Sequence, residues 1–197
     1  NSGRGRAVLI FGRGSSWTSA SNHQLDLSTD SIGTVIFTTT AASGTLGTAV
    51  GSLDLNLDGH LDLVITAPSG GLYYGQIHVI WGGGEEFSSL SLPVSSLQQG
   101  LFFQPTRRYR FGSSVATTGD INGDNNNDLV FGSSEGRSVI VVFASNSVEW
   151  SLNMSKIPNS VLFNHTPSRT YSEGFGRVVA TGDINGDGFD AVSYTHL

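Results

Sequence analysis

Three short stretches of this sequence place oxygen-bearing side chains at alternating positions. In the first of these loops, Asp54, Asn56 and Asp58 stand at positions 1, 3 and 5, and Asp62 stands at position 9. A tightly turned loop directs alternate side chains inward, and carboxylate and amide oxygens are ligands that Ca²⁺ prefers. The backbone carbonyl of His60, at position 7, is the fifth expected ligand. The spacing therefore predicts a calcium site.

A second loop repeats the arrangement with the same spacing. Its predicted ligands are the side chains of Asp120, Asn122, Asp124 and Asp128 and position 7, Asn126. Position 6 of such a loop requires a positive φ, which Gly59 permits in the first loop. Asn125 stands there in the second loop, and asparagine tolerates the left-handed conformation. Both loops are therefore predicted to bind the ion.

A third loop keeps only part of the pattern. Asp183, Asn185 and Asp187 occupy positions 1, 3 and 5 and are its candidate ligands. Its last aspartate, Asp190, comes one residue early, and Ala191 stands at position 9. The sequence leaves open whether this loop binds metal.

Two other interpretations of these loops compete with a calcium site in a β-protein. An EF-hand opens with the same spacing but needs a bidentate Glu at position 12 and flanking helices. Position 12 is Ile65, Phe131 and Tyr194 in the three loops. Runs of Asp, Asn and Gly also form ordinary turns. Two full matches at the same phase of a repeat favour calcium.

The loops belong to a repeat of roughly 64 residues. Similar segments begin at Leu46, Phe111 and Phe175, which lie 65 and 64 residues apart, and each segment leads directly into one of the loops. A nearly constant period of this length is typical of stacked supersecondary units.

Each unit carries short β-branched and aromatic runs bounded by glycines, which predict strands. The predicted strands are residues 6–11, 33–40, 62–65, 76–81, 100–104, 128–131, 138–143 and 160–164. Residues 139–143 are apolar on both faces, as expected for a sheet between two others. Together with the segment that opens each unit, these predicted strands make four strands per repeat, which indicates an all-β fold of the β-propeller type.

The repeat divides the chain into propeller blades. Residues 1–45 are predicted to be the outer strands of a preceding blade, 46–110 and 111–174 two complete blades, and 175–197 the start of a further blade. Residues 191–197 depart from the repeat, and no function is assigned to them. Because a propeller closes with typically 4 to 8 blades, the chain is expected to be a piece of a longer protein.

Composition excludes several classes of function. The net charge is −6, and no basic cluster is longer than residues 107–110, so nucleic acid is not an expected partner. The chain has no cysteine, which excludes disulfides and Cys-ligated zinc within it. No apolar run is long enough to cross a membrane. Asn153 and Asn164 each begin an N-glycosylation sequon.

The residues around the loops resemble the FG-GAP repeat family, whose best-known member is the integrin α-subunit head. Phe111-Gly112 and Phe175-Gly176 open two units, Gly-Asp-Ile-Asn-Gly-Asp recurs in the loops, and residues 65–68 read Ile-Thr-Ala-Pro. The resemblance implies a seven-bladed extracellular propeller with structural calcium, used in adhesion or in recognition of a protein or carbohydrate. Similar repeats also accompany the catalytic domain of secreted hydrolases such as glycosylphosphatidylinositol-specific phospholipase D. An accessory role in such an enzyme is the alternative function.

No catalytic constellation is predicted within the chain itself. Residues 132–136 match Gly-x-Ser-x-Gly, but a nucleophile elbow needs a following helix, and a strand is predicted next. The five histidines show no His-Glu-x-x-His or other close pairing. The chain is therefore expected not to be an enzyme.

Overall fold

The computed structural model describes an all-β protein. It covers residues 5–12, 34–38, 44–70, 75–83, 91–93, 100–103, 110–135, 138–146, 160–164 and 174–195. Within these ranges, no helix is long and apolar enough to cross a membrane.

The described residues form thirteen short strands, and the strands at the centre of the sheets, such as β4, β5 and β10, are rich in β-branched residues. The strands are β1 (Arg6–Ile10), β2 (Thr34–Thr38), β3 (Val50–Leu53), β4 (Asp62–Ala67), β5 (Gln76–Ile80), β6 (Ser91–Pro93), β7 (Gly100–Phe103), β8 (Phe111–Gly119), β9 (Asp128–Ser133), β10 (Ser138–Val142), β11 (Ser160–Asn164), β12 (Val179–Gly182) and β13 (Ala191–Tyr194).

Two of the sheets have the architecture of complete propeller blades. Their strand orders are β3-β4-β5-β7 and β11-β10-β9-β8, and every neighbouring pair is antiparallel. The antiparallel pair β1-β2 forms the outer part of a preceding blade, and the pair β12-β13 begins a following one. The predicted all-β, four-stranded blade is confirmed. The number of blades in the whole protein stays a prediction.

Two strands differ from the sequence-based expectation. β6 was not predicted, and it pairs in parallel with β2, so that residues 91–93 of one unit extend the sheet of the preceding blade. A three-residue segment ending in proline carries almost no strand signal of its own, and proline is tolerated at a sheet edge. β13 forms although residues 191–194 depart from the repeat. It pairs with β12, and the ring of Tyr194 packs against Phe175.

The hydrophobic core lies between blades, because successive residues of a strand point to opposite faces of its sheet. In β9, Leu129 and Phe131 pack towards the first complete blade, while Val130 packs towards β12 of the last one. In β4, Val64 and Ile65 divide in the same way between the following and the preceding blade. The two middle strands of each complete blade are therefore buried on both faces, as their apolar runs predicted.

One buried histidine makes the stability of this core dependent on pH. Burial lowers the pKa of His78 in β5 from 6.5 to about 4. The unfolded chain therefore binds a proton more readily than the native chain between these values, and stability is lost as pH falls from about 6.5 towards about 4. We expect His78 to account for a loss of about 2 kcal/mol between pH 7 and pH 5.

Urea unfolding at both pH values tests this expectation through the difference between wild type and His78→Leu. The leucine variant should lose less stability on acidification. His60→Gln, which changes an exposed histidine, should keep the acid sensitivity of wild type. Equal acid sensitivity of His78→Leu and wild type would contradict the assignment.

Candidate metal centre

The three predicted loops occupy the same place in three successive blades. The first joins β3 to β4, the second joins β8 to β9, and the third joins β12 to β13. Position 6 has the expected positive φ, 88° at Gly59 and 66° at Asn125. Leu57, at position 4 of the first loop, also has a φ of 59°, which is an uncommon backbone conformation for a bulky residue other than glycine.

The aspartate at position 1 organises the turn of its own loop. The carboxylate oxygens of Asp54 accept the backbone N–H groups of Asp58 at 3.1 Å and Gly59 at 2.8 Å. In the second loop, Oδ2 of Asp120 accepts the N–H of Asn125 at 2.7 Å. The loop therefore wraps around this carboxylate and brings positions 1, 5 and 6 together.

The side chains at positions 3 and 5 are joined directly. Nδ2 of Asn56 donates to Oδ2 of Asp58 at 2.9 Å, and Asn122 donates to Asp124 at the same distance. Oδ1 of Asp58 accepts the N–H of His60 at 2.9 Å. These bonds hold the side chains at positions 3 and 5 next to each other.

The aspartate at position 9 holds the base of the loop. Asp62 is fully buried, and its carboxylate accepts the N–H groups of Leu55 and Gly82, each at 2.9 Å. Asp128 is also fully buried and makes the corresponding two bonds at 2.9 and 3.1 Å. These residues connect the start of each loop with the end of the third strand of the same blade.

The third loop has the same turn without the same base. The carboxylate of Asp183 accepts loop N–H groups at 2.7, 3.2 and 3.0 Å, and Asn185 donates to Asp187 at 2.8 Å. Ala191 offers no oxygen at position 9, and Asp190 bonds to the second loop instead. Positions 1, 3 and 5 are thus brought together, but the fourth side-chain ligand is not replaced.

The electrostatics of the loops differ between the base and the tip. Burial raises the pKa of Asp62, and the negative charges of Asp58 and Asp54 raise it further, while two backbone N–H bonds oppose them. At the tip, the N–H of His60 lowers the pKa of Asp58. The carboxylates are therefore close enough to repel one another, and a bound cation would relieve that repulsion.

The donor set fits calcium, although the coordination shell is not assembled. Among the described residues, no three Asp, Glu or His side chains already form a metal-holding group, since the carboxylates accept N–H groups of their own loop. Each oxygen of Asp54 uses one lone pair in this way and has a second available. All predicted ligands are oxygens, which suits a hard cation. Calcium binding stays a prediction.

The comparison with protein families identifies the repeat. The family of the FG-GAP repeat matches residues 46–80, which contain β3, the first loop, β4 and β5. Residues 46–80 of the chain are therefore an FG-GAP repeat. The resemblance seen in the sequence is confirmed.

Curated relatives of this FG-GAP chain are phosphatidylinositol-glycan-specific phospholipases D. The bovine protein is 31% identical over 149 residues, which are 72% of this chain and 17% of the relative. The rat protein is 31% identical over 150 residues, 73% of this chain and 17% of the relative. The human protein is 37% identical over 93 residues, 44% of this chain and 11% of the relative. The chain thus spans a small part of these proteins.

The sequence reasoning missed the apolar residue at position 2 of each FG-GAP loop. Leu55 is fully buried and packs into the core shared with the next blade, and Ile121 is half-buried against the core beyond it. Ile184, in the third loop, is 78% exposed. An apolar residue recurs between the predicted ligands at positions 1 and 3 of all three loops, and this recurrence could have indicated a packing role. The first two loops therefore contribute to blade packing in addition to carrying the predicted metal ligands.

Proposed function

We propose that this chain is a calcium-binding, non-enzymatic FG-GAP module of an extracellular protein. Each of the first two loops would hold Ca²⁺ through the oxygens at positions 1, 3, 5, 7 and 9, and the ion would supply structural rigidity. The observation that supports this most is the same hydrogen-bonded turn in three repeats, with a buried aspartate at the base of two.

The proposed partner is an extracellular protein or carbohydrate. The FG-GAP repeat at residues 46–80 supports recognition outside cells. Calcium there is abundant enough for sites with dissociation constants of about 10⁻⁴ to 10⁻³ M. Sites of that strength would be largely empty in cytosol. The blades would present the ligand-binding surface, and calcium would keep its loops in place.

We expect 2 mM calcium to stabilise the chain by about 0.6 to 1.8 kcal/mol for each occupied loop. The reason is that the ion binds the folded loop and relieves the repulsion among its carboxylates. Two occupied loops should raise the melting temperature by several degrees. Thermal melts in 2 mM calcium and in chelator measure the shift.

A matched control for this experiment is the double variant Asp58→Asn, Asp124→Asn. It removes one ligand charge from each loop but preserves an oxygen that accepts the following loop N–H groups. Its melting temperature should respond much less to calcium. An unchanged midpoint for the wild-type chain across that range would remove the structural role.

The second candidate is an accessory propeller in a hydrolase. Its support is the name shared by the relatives, phosphatidylinositol-glycan-specific phospholipase D. The two candidates make different predictions for the longer protein that contains these repeats. Hydrolysis of phosphatidylinositol glycans by that protein, but not by this chain alone, would favour the accessory role.

A further inference from the structure

The third loop contacts the second loop at Asp120, the predicted ligand at position 1 of the second loop. Both the N–H and the C=O of Asp120 take part. The N–H of Asp120 donates to Oδ2 of Asp190 at 2.7 Å, and the N–H of Asp190 donates to the carbonyl oxygen of Asp120 at 2.8 Å. The two residues lie 70 positions apart and belong to neighbouring blades. The backbone at position 1 of the second loop is therefore held by the next blade.

The side chain of Asp120 is held from within its own loop. Its Oδ1 accepts the N–H groups of Gly123 at 2.7 Å and Asp124 at 3.0 Å, and its Oδ2 accepts that of Asn125. The bonds to the Asp120 side chain come from its own loop, whereas the bonds to its backbone come from the neighbouring blade. The loop orients the carboxylate, and Asp190 fixes the backbone from which that carboxylate extends.

A second contact joins the same two loops. The ring of Phe189 lies against Gly123, so closely that a Cβ on this glycine would overlap it. Phe189 is 53% exposed, so the ring covers the turn from the solvent side. Adjacent residues of the third loop thus contact the second loop at position 1 and at position 4.

The first loop is connected to its following blade in another way. There the carbonyl oxygen of Leu55 accepts the N–H of Ser145 at 2.9 Å, beyond the end of β10. Leu61 occupies position 8, the place of Asp190 in the third loop, and its side chain is 67% exposed. Leu61 is therefore a matched position for comparison.

We infer that Asp190 is a positioning residue for calcium binding in the second loop, acting from the neighbouring blade. A ligand already held in its bound position loses less conformational freedom when the ion arrives, which raises affinity. The linkage is reciprocal, so calcium in the second loop strengthens the contact between the two blades. The inference rests on the proposed calcium function and assigns a role to an aspartate outside the ligand set of that loop.

The experiment measures calcium binding by titration calorimetry, first with the wild-type chain. It is then repeated with the double variant Asp58→Asn, Asp187→Asn, in which calcium binding by the first and third loops is weakened. In that background, Asp190→Ala should weaken binding about three- to tenfold, the equivalent of one lost hydrogen bond. Asp190→Asn should stay within about twofold, because its amide oxygen still accepts the N–H of Asp120. Leu61→Ala should change nothing.

Phe189→Ala provides a second variant at an exposed side chain, and it should weaken binding about twofold through the lost contact with Gly123. Urea unfolding in chelator identifies which variants are folded before titration. Calcium binding by Asp190→Ala that equals the background would overturn the inference, while leaving the calcium function standing. An asparagine variant as weak as the alanine variant would also overturn it. Absence of binding by wild type would reject the proposed function and the inference with it.

Discussion

Leu55→Ala is expected to lower the free energy of unfolding by about 2 to 5 kcal/mol, the largest single effect predicted for a loop residue. Leu55 stands between two predicted metal ligands, yet none of its side chain is exposed. It packs in the core that joins the two complete blades, together with Leu129 and Val142. Truncation leaves a cavity where the two sheets meet, and that cavity adds to the lost transfer energy.

Urea unfolding in chelator measures this effect without any contribution from metal. Leu61→Ala is the matched control, since it changes the same residue type in the same loop at 67% exposure. The control should fall within about 0.5 kcal/mol of wild type. Similar losses for the two variants would show that the loop does not enter the core between blades.

Asp128→Ala is expected to destabilise the chain by about 2 to 4 kcal/mol even without calcium. The carboxylate is fully buried and accepts the N–H groups of Ile121 and Ala144. Removing it leaves two backbone donors without an acceptor in a part of the structure that water does not reach readily. The start of the loop then loses its connection to the end of β10.

The control for this prediction is Asp124→Ala, an exposed ligand position of the same loop. Unfolding in chelator should show a loss below about 1 kcal/mol for this variant. Calcium titration should show that both variants have lost the second site. A metal-free stability of Asp128→Ala close to wild type would mean that the position-9 aspartate serves the ion alone.

The strands of this fold could be predicted because their local signals are strong. Residues 138–142 are mostly β-branched, and a similar run stands at the corresponding place of the preceding repeat, at residues 76–80. The continuous apolar run at residues 139–143 also indicated burial on both faces. By contrast, β6 arises from parallel pairing with a distant strand, and three residues contain no local pattern from which such a pairing follows.

The candidate ligands could be predicted because they lie within nine consecutive residues of each loop. Contacts between loops could not be predicted in this way. Asp190 appeared to be a displaced ligand of its own loop, and its partner Asp120 lies in another blade. Leu55 was overlooked because the loop pattern directs attention to oxygens, while its burial depends on the sheet that follows.

The parallel pairing of β6 with β2 has a consequence for solubility. Residues 91–93 belong to one repeat but pair with Ile36, Phe37 and Thr38, in the edge strand of the preceding blade. An uncovered edge strand would offer a row of free N–H and C=O groups on which another polypeptide could add as a further strand. Covering that stretch with a neighbouring segment, which ends in a proline, protects the protein from aggregation at this edge.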